Sequence, residues 1–403
     1  MECAKALTEY LPNELGHSSR ELEDWVRASG SHGHLRDMVR LAESDPRVVV
    51  LPEDLDSNPW LLAVQNGTVD LRTGELRDPE PADLITKLAP VNYEPGLDPA
   101  TACPLWLRFL DTVFNSDQEL IKYVQRAVGY SLTGSTREEV FFLLWGSGAN
   151  GKTTFLETLH ALLGEYGKQS DFTTFLNTGK SPGVRNDIAR LRGARFVSAV
   201  ETDSNTKLAA ATLKQITGGD TVVARFLYGE HFEFKPELKL WLAVNHKPDN
   251  PDTSEGMWRR LRLIPFTVAI PDSERDKDLK EKLKNELPGI LAWAVQGCLT
   301  WQQYGLHEPD SIQAATNEYR AEQDTLSQFL ESCCEVEHSN TYRGVQSTDL
   351  YERYKAWCSR NGEFALSQKA LAPLLKERGF TTKRIRGYVY WYGLQLKPRD
   401  SDD

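Results

Sequence analysis

The chain has 403 residues, of which 40% are hydrophobic and 26% charged, with a formal net charge of −11. A composition this close to the soluble globular average excludes a disordered tail, and the length predicts two or three domains. The longest strongly apolar run, Val140 to Trp145, falls far short of the roughly 20 residues of a membrane helix, and the acidic balance excludes a uniformly basic nucleic-acid coat protein while leaving room for a local basic groove.

In chain order, the opening residues carry early acids and no apolar run, so no secretory leader is expected. Residues 1–50 read as polar and helical, with Leu, Trp and Val spaced along LEDWVRASG and HLRDMVRLAE. Residues 58–80 read as a small β-hairpin region, with turn signals at Asn66-Gly67 and Thr73-Gly74. Pro and Asp crowd residues 78–104 into a loop-rich linker, and residues 105–135 return to helical periodicity. From about 138 to 270 apolar strand-like runs alternate with helices: EVFFLLWG, ARFVSAVE, TVVARFLY, LKLWLAVN and LRLIPF. Such alternation predicts an α/β fold with a mostly parallel sheet and helices on its faces. Residues 273–286 are a charged, solvated helix face, and residues 287–304 an apolar helix. Six cysteines show no C-x-x-C spacing; they are expected to be reduced and structural, in a cytoplasmic compartment.

The strongest local signal is Gly146-Ser147-Gly148-Ala149-Asn150-Gly151-Lys152-Thr153, followed by Thr154. It matches G-x-x-x-x-G-K-[ST] between a buried strand and a helix, the context a phosphate-binding loop requires. Glycines let backbone N–H groups curl around phosphate oxygens, and the helix N-terminus adds partial positive charge. Lys152 would reach the β- and γ-phosphates of ATP, and Thr153 would hold Mg²⁺. A glycine-rich turn with a surface lysine is the bland alternative. The second signal is Arg195-Phe-Val-Ser-Ala-Val-Glu201-Thr-Asp203, an apolar strand ending in acids. Beside a phosphate loop, Glu201 and Asp203 are expected to hold the metal and polarise the attacking water. Without that loop it would read as an ordinary polar strand end.

Three segments follow: Lys214-Gln-Ile-Thr-Gly-Gly-Asp220; Leu240-Trp-Leu-Ala-Val-Asn245; and Trp258-Arg259-Arg260-Leu-Arg262. Together with Asn66-Gly-Thr-Val-Asp70-Leu-Arg-Thr-Gly74 and Gly129-Tyr-Ser-Leu-Thr-Gly134, the ordered set resembles the superfamily 3 helicases. The resemblance is greatest to the phage and plasmid primase–helicase group related to the poxvirus primase–helicase. It covers residues 55–270 firmly and 325–399 loosely.

The resemblance implies a ring-forming AAA+ ATPase, a homohexamer, that moves 3′ to 5′ on single-stranded or forked DNA. It implies that Asn245 orients the hydrolytic water. It also implies that Arg260, with Arg259 beside it, is the arginine finger inserted at a neighbour's γ-phosphate. The competing reading is a surface ion pair of these arginines with Glu255 or Asp252. Thr221–Tyr228 and His231–Phe234, around Gly229-Glu230, read as a hairpin. In the family a hairpin before the sensor strand grips DNA, so Lys214, Arg225 and His231 are candidate DNA contacts. Ordinary sheet, with Arg225 paired to Glu233 across the hairpin, is the alternative. Many relatives carry a primase domain ahead of the helicase. Here only about 50 residues precede the hairpin region, too few for a polymerase fold. Priming is therefore not expected of this chain, and a separate primase or polymerase is a candidate partner. The Glu-Thr-Asp spacing leaves open which acid is the base.

Residues 325–399 read as three helices and then two strands around Arg386-Gly387, the order of a winged helix, with Ser367 as a helix cap. Lys376, Arg378, Lys383, Arg384, Arg386, Lys397 and Arg399 cluster beside Tyr388, Tyr390, Trp391 and Tyr392. That pattern suits a phosphate-contacting wing or stacking surface, with Lys383, Arg384 and Arg386 foremost; aromatic core plus solvated charge, or a protein-docking role, are the alternatives. The expected plan is a helical region over 1–50, a collar-like hairpin and helical region over 51–137, an AAA+ motor over 138–305 and a winged-helix domain over 306–403. The expected function is an ATP-dependent DNA helicase in replication of a phage or mobile element, in the bacterial host cytoplasm if phage-encoded. Its rivals are an ATP-switched origin-binding initiator and a P-loop kinase. The mean charge conceals a division, with acids in the N-terminal region and in 273–286 and bases in the last 30 residues.

Overall fold

A computed structural model describes residues 20–45, 48–177, 185–201, 206–250, 252, 254–339, 342–363 and 365–398. The described residues divide into two units: those up to Pro59 with Pro79–Lys87, and Trp60–Asp78 with Leu88 onward. In the first, helices Arg20–Ser29 and His32–Ala42 meet at Ser31, whose hydroxyl caps the second helix by accepting the His34 N–H. Asp56 accepts hydrogen bonds from Thr86 Oγ1 and Lys87 Nζ, both 2.6 Å.

The second unit begins with an antiparallel sheet of β1 (Leu61–Val64), β2 (Gly67–Asp70) and β3 (Glu75–Arg77). Val64 pairs with Gly67, so the two-residue turn is Gln65-Asn66, one residue earlier than the Asn66-Gly67 signal. Gly67 lies inside the strand, where a Cβ would sit 2.6 Å from the Arg77 carbonyl oxygen. Asn66 instead ties the turn to the following chain: its amide donates to Tyr93 O and accepts from Tyr93 N, both 2.9 Å.

The central sheet is parallel, in the order β10-β4-β9-β6-β5, with β4 Phe141–Trp145, β5 Gly167–Gln169, β6 Phe196–Val200, β9 Lys239–Val244 and β10 Leu261–Pro265. The apolar run of β4 and the full burial of β9 fit a sheet covered on both faces. Alternate side chains feed two cores. Phe142, Leu144, Phe196 and Trp241 join one with helices Pro104–Val113, Gln118–Leu132, Lys152–Leu163 and Leu287–Tyr304. Phe141, Leu143, Val197 and Leu240 join the other with Leu213, Ile216, Trp258 and Tyr319. The TVVARFLY run stands outside the central sheet: as the hairpin reading expects, it forms β7 (Val222–Arg225), which among the described residues pairs with β8 (His231–Phe234). The sheet edge is instead β5, whose Gly-Lys-Gln sequence carries no strand signal.

Helices Gln118–Leu132 and Leu287–Tyr304 cross closely. A Cβ on Gly129 would meet Cys298 N at 2.1 Å, and one on Gly297 would meet Gln125 O at 2.1 Å. Two buried cations finish the first of these helices: Arg195 donates to Leu132 O at 2.9 Å and Lys239 to Thr133 O. Positive charge at helical carbonyls is favourable, although burial still pushes Lys239 well below its ordinary pKa. Helix Asp310–Glu322 packs on β10, with Thr316 Oγ1 accepting the Leu263 N–H and Tyr319 edge-on to Trp258.

A third core holds helices Thr325–Cys333, Ser347–Arg360 and Gln368–Glu377, the last capped by Ser367 as expected. β11 (Cys334–Val336) pairs with β15 (Leu394–Leu396), and β12 (Gly344–Gln346), β14 (Tyr388–Tyr392) and β13 (Thr381–Ile385) form a sheet in that order. Ile385 pairs with Tyr388 around Arg386 and Gly387, both with positive φ, the requirement of a tight two-residue hairpin. No helix among the described residues is long and apolar enough to cross a membrane. The described cysteines, at 103, 298, 333, 334 and 358, are free and buried, and burial pushes the Cys103, Cys298 and Cys334 thiols up to about 12.

Candidate active site

β4 delivers the chain into the glycine loop, and the helix beginning at Lys152 carries it away. Gly148 and Gly151 adopt φ of +103° and +88°, which side chains disfavour. A Cβ on Gly146 would lie 2.0 Å from Asn150 Nδ2 and 2.2 Å from Phe266 O. Asn150 Nδ2 donates to Phe266 O at 2.9 Å, pinning the loop to the chain that leaves β10. Ser147, Ala149 and Thr153 remain exposed at the mouth, with Thr154 half-buried.

Lys152 is 6% exposed and points back into the loop. Its ammonium donates to Gly146 O at 2.6 Å, Asn150 Oδ1 at 3.0 Å and Asn245 Oδ1 at 3.2 Å. Burial pushes its pKa down to about 8, against the opposing pull of the Glu201 carboxylate. Glu201 follows β6 and Asn245 follows β9, adjacent parallel strands. Glu201 Oε2 accepts the N–H groups of Asn245 (3.0 Å) and His246 (3.3 Å), while Oε1 accepts the Thr206 hydroxyl at 3.1 Å. Lys152, Thr153, Glu201 and Asn245 line one cleft of about 380 Å³. Asp203 lies outside the described residues.

The donor set suits a hard cation. Thr153 offers a hydroxyl and Glu201 a carboxylate, and both line the same cleft. Mg²⁺ typically takes one or two protein oxygens and completes its shell with phosphate and water, so the absence of any three-residue His/Cys/Asp/Glu cluster among the described residues does not count against it.

The arginine pair lies away from this cleft. Arg260 is tucked in, its side chain 11% exposed, donating to Gly256 O at 2.8 Å and Glu139 Oε2 at 3.0 Å. Arg259 is 61% exposed and touches Glu139 only at 3.4 Å. The acid that engages both is therefore Glu139, not Glu255 or Asp252. Glu255 pairs with Arg320 (2.7 Å) and Asp252 with Lys214 (2.6 Å). Glu139, 120 residues from Arg259 in sequence, could not be found by local spacing.

The candidate DNA residues do not form one group. Lys214, on helix Ala210–Thr217, is held by Asp252 and by Ser254 Oγ at 2.9 Å. Arg225 and His231 are direct partners across the β7–β8 hairpin, and Glu233 faces Val223, so the register does not set Arg225 opposite Glu233 as the alternative reading requires. The hairpin end was missed by sequence reasoning: Phe226, Leu227 and Tyr228 are all exposed, Tyr228 at 99%. At the C-terminal hairpin Arg384 and Arg386 are exposed, and Lys383 lies over the Tyr392 ring at 4.9 Å. Trp391 and Tyr392 are buried, so they cannot stack on a ligand; Tyr388 stays outside.

Three sequence families match the chain: one described as D5 N terminal like over residues 1–115, a family of unknown function over 144–260, and one described as poxvirus D5 protein-like over 321–403. A protein of Acanthamoeba polyphaga mimivirus named "putative helicase" is 30% identical over 327 residues, covering 76% of this chain and 34% of its own. Another so named, from Frog virus 3, is 25% identical over 402 residues, covering 80% and 41%. A "putative primase" of African swine fever virus is 25% identical over 357 residues, covering 80% and 36%. The chain thus spans from about a third to two-fifths of the length of these relatives.

Proposed function

The chain belongs to the D5-like primase–helicases of superfamily 3 type, and from that premise we propose that it is an ATP-driven DNA helicase motor of replication. The observation that carries the reading is the meeting of Lys152, Glu201 and Asn245 in one cleft at the ends of three neighbouring parallel strands. Lys152 binds the β- and γ-phosphates of ATP on leaving Gly146 O and Asn245. Asn245, freed of Lys152, orients the attacking water, and Glu201 polarises it. Thr153 and Glu201 are the residues that would hold Mg²⁺, which would supply charge neutralisation on the phosphates.

On this reading residues 138–305 are an AAA+ motor, 51–137 a collar, 1–50 a helical appendage and 306–403 a winged helix with Arg384 and Arg386 on its wing. The motor assembles as a ring, a homohexamer, and moves 3′ to 5′ on single-stranded DNA. Arg259 is the better arginine finger, because an exposed guanidinium can reach a neighbour whereas Arg260 is committed to Gly256 and Glu139. A forked duplex tests the whole. Strand displacement should need ATP and Mg²⁺ and vanish in Lys152→Ala. ATP-dependent binding to duplex with no displacement would favour an origin-binding initiator instead.

A further inference from the structure

Lys152 is not the cleft's sole cation. Lys280, on helix Leu279–Lys284, also lines it. The segment that brings it there is tied to the phosphate loop twice, through Asn150 to Phe266 O and through the Ile270 N–H to Ala149 O at 3.0 Å. The Lys280 ammonium pairs with Glu157, and both side chains are about half exposed, 49% and 50%. Glu157 stands four residues beyond Thr153 and three beyond Thr154. On a helix those spacings share a face, so the pair sits one turn above the loop's first helical residues. A carboxylate near a phosphate-binding helix start opposes anion binding, and Lys280 screens it.

We propose that Lys280 is a second nucleotide-binding cation, which leaves Glu157 for the phosphate oxygens of a bound nucleoside di- or triphosphate. This deepens the ATPase reading and rests on it. Ion pairs as exposed as this are weak and exchange readily, whereas a charge-assisted bond to phosphate is shorter and stronger. The helix 279–284 would then follow the occupancy of the cleft, giving the chain after β10 a direct report of nucleotide.

The test is titration of the full chain with ATP carrying a fluorescent ribose label. Lys280→Ala should weaken binding by about tenfold, the size of one lost hydrogen bond between charged groups. Lys280→Arg should recover most of it. Glu157→Gln should bind as well as the wild type or up to about threefold tighter, since a weak competitor has been removed. Unchanged affinity in Lys280→Ala, or equal weakening in Glu157→Gln, overturns the proposal. Unchanged affinity in Lys152→Ala would instead overturn the nucleotide site itself. Acylation of Lys280 in the unmutated chain, followed by peptide mass spectrometry, gives a readout free of folding effects. ATP should slow it, and indifference to ATP overturns the proposal as well.

Discussion

Glu201 and Asn245 are joined by a hydrogen bond from the Asn245 backbone N–H to Glu201 Oε2, 3.0 Å long. The end of β6 is thereby locked to the end of β9, and the Asn245 side chain is left to face Lys152. A carboxylate held by two N–H groups and a hydroxyl has its position fixed before any nucleotide arrives. Glu201→Gln preserves the oxygen that accepts the two N–H groups, and its amide can donate to Thr206 Oγ1. The fold should therefore survive, while ATP hydrolysis falls by about 10²–10⁴, the usual contribution of a positioned base. ATP binding should stay within a few-fold of wild type. Phosphate release and nucleotide titration on one preparation check this, and retained hydrolysis would remove Glu201 from the chemistry.

Lys152 makes the site sensitive to alkali. Burial lowers its pKa to about 8, the Glu201 charge only partly opposing this. Bound phosphates favour the charged form, so ATP affinity should be flat below pH 8 and then weaken, approaching about tenfold per pH unit. The stability effect has the opposite sign. From about pH 8 to the ordinary lysine value of 10.5 the unfolded chain holds a proton that the folded chain has lost. Folding stability at this residue therefore rises with pH across that window. Calorimetric ATP titrations from pH 7 to 10 should show the first effect. Melting of wild type against Lys152→Met should show a difference that shifts in the wild type's favour over the same interval.

Arg259 and Arg260 should separate cleanly. Removing Arg260 strips Glu139 and the Gly256 carbonyl of their partner, and should cost about 1–3 kcal/mol of stability. Removing the exposed Arg259 should leave melting unchanged but lower ATP hydrolysis in the assembled state by about 10³–10⁵ if it acts on a neighbour's nucleotide. Mixing Arg259→Ala with Lys152→Ala subunits should restore part of the activity, because some interfaces then pair a whole cleft with a whole finger. Failure of mixing to restore any activity would exclude Arg259.

The parts legible in the sequence are those fixed by short-range stereochemistry. Gly148 and Gly151 are needed where φ is positive, Lys152 follows at a set distance, and Glu201 and Asn245 fall at strand ends that apolar runs already mark. What was hidden depends on chain segments far apart. Glu139 meets Arg260 only once β4 and β10 pair, and Lys280 reaches the loop only because Phe266 and Ile270 are anchored there. The β7–β8 hairpin was legible from its Gly229-Glu230 turn, but its separation from the central sheet was not: Val222 and Ala224 are buried as a sheet strand's would be, while Val223 between them is exposed. The aromatic residues of the last hairpin divide between core and surface by distance from its tip, Tyr388 exposed and Trp391 and Tyr392 buried, which composition alone does not reveal.

Tyr228 offers a test in which folding and binding move in different directions. It projects from the β7–β8 hairpin beyond the Arg225–His231 pair, 99% exposed, with a left-handed φ of +63°. An aromatic side chain that is neither buried nor relaxed gains nothing for the fold from its own surface. If the hairpin meets single-stranded DNA, the ring can stack on a base, an interaction worth about 1–3 kcal/mol. Tyr228→Gly removes the ring and relieves the backbone at once, since glycine takes positive φ without steric cost. It should melt at the same temperature as wild type or slightly higher, yet bind oligo-dT about tenfold or more weakly at moderate salt. Tyr228→Phe should bind like wild type, because stacking needs only the ring. Wild-type affinity in the glycine variant would take Tyr228 out of the DNA path, and a large drop in melting temperature would show that its exposed ring is part of the folded structure's support after all.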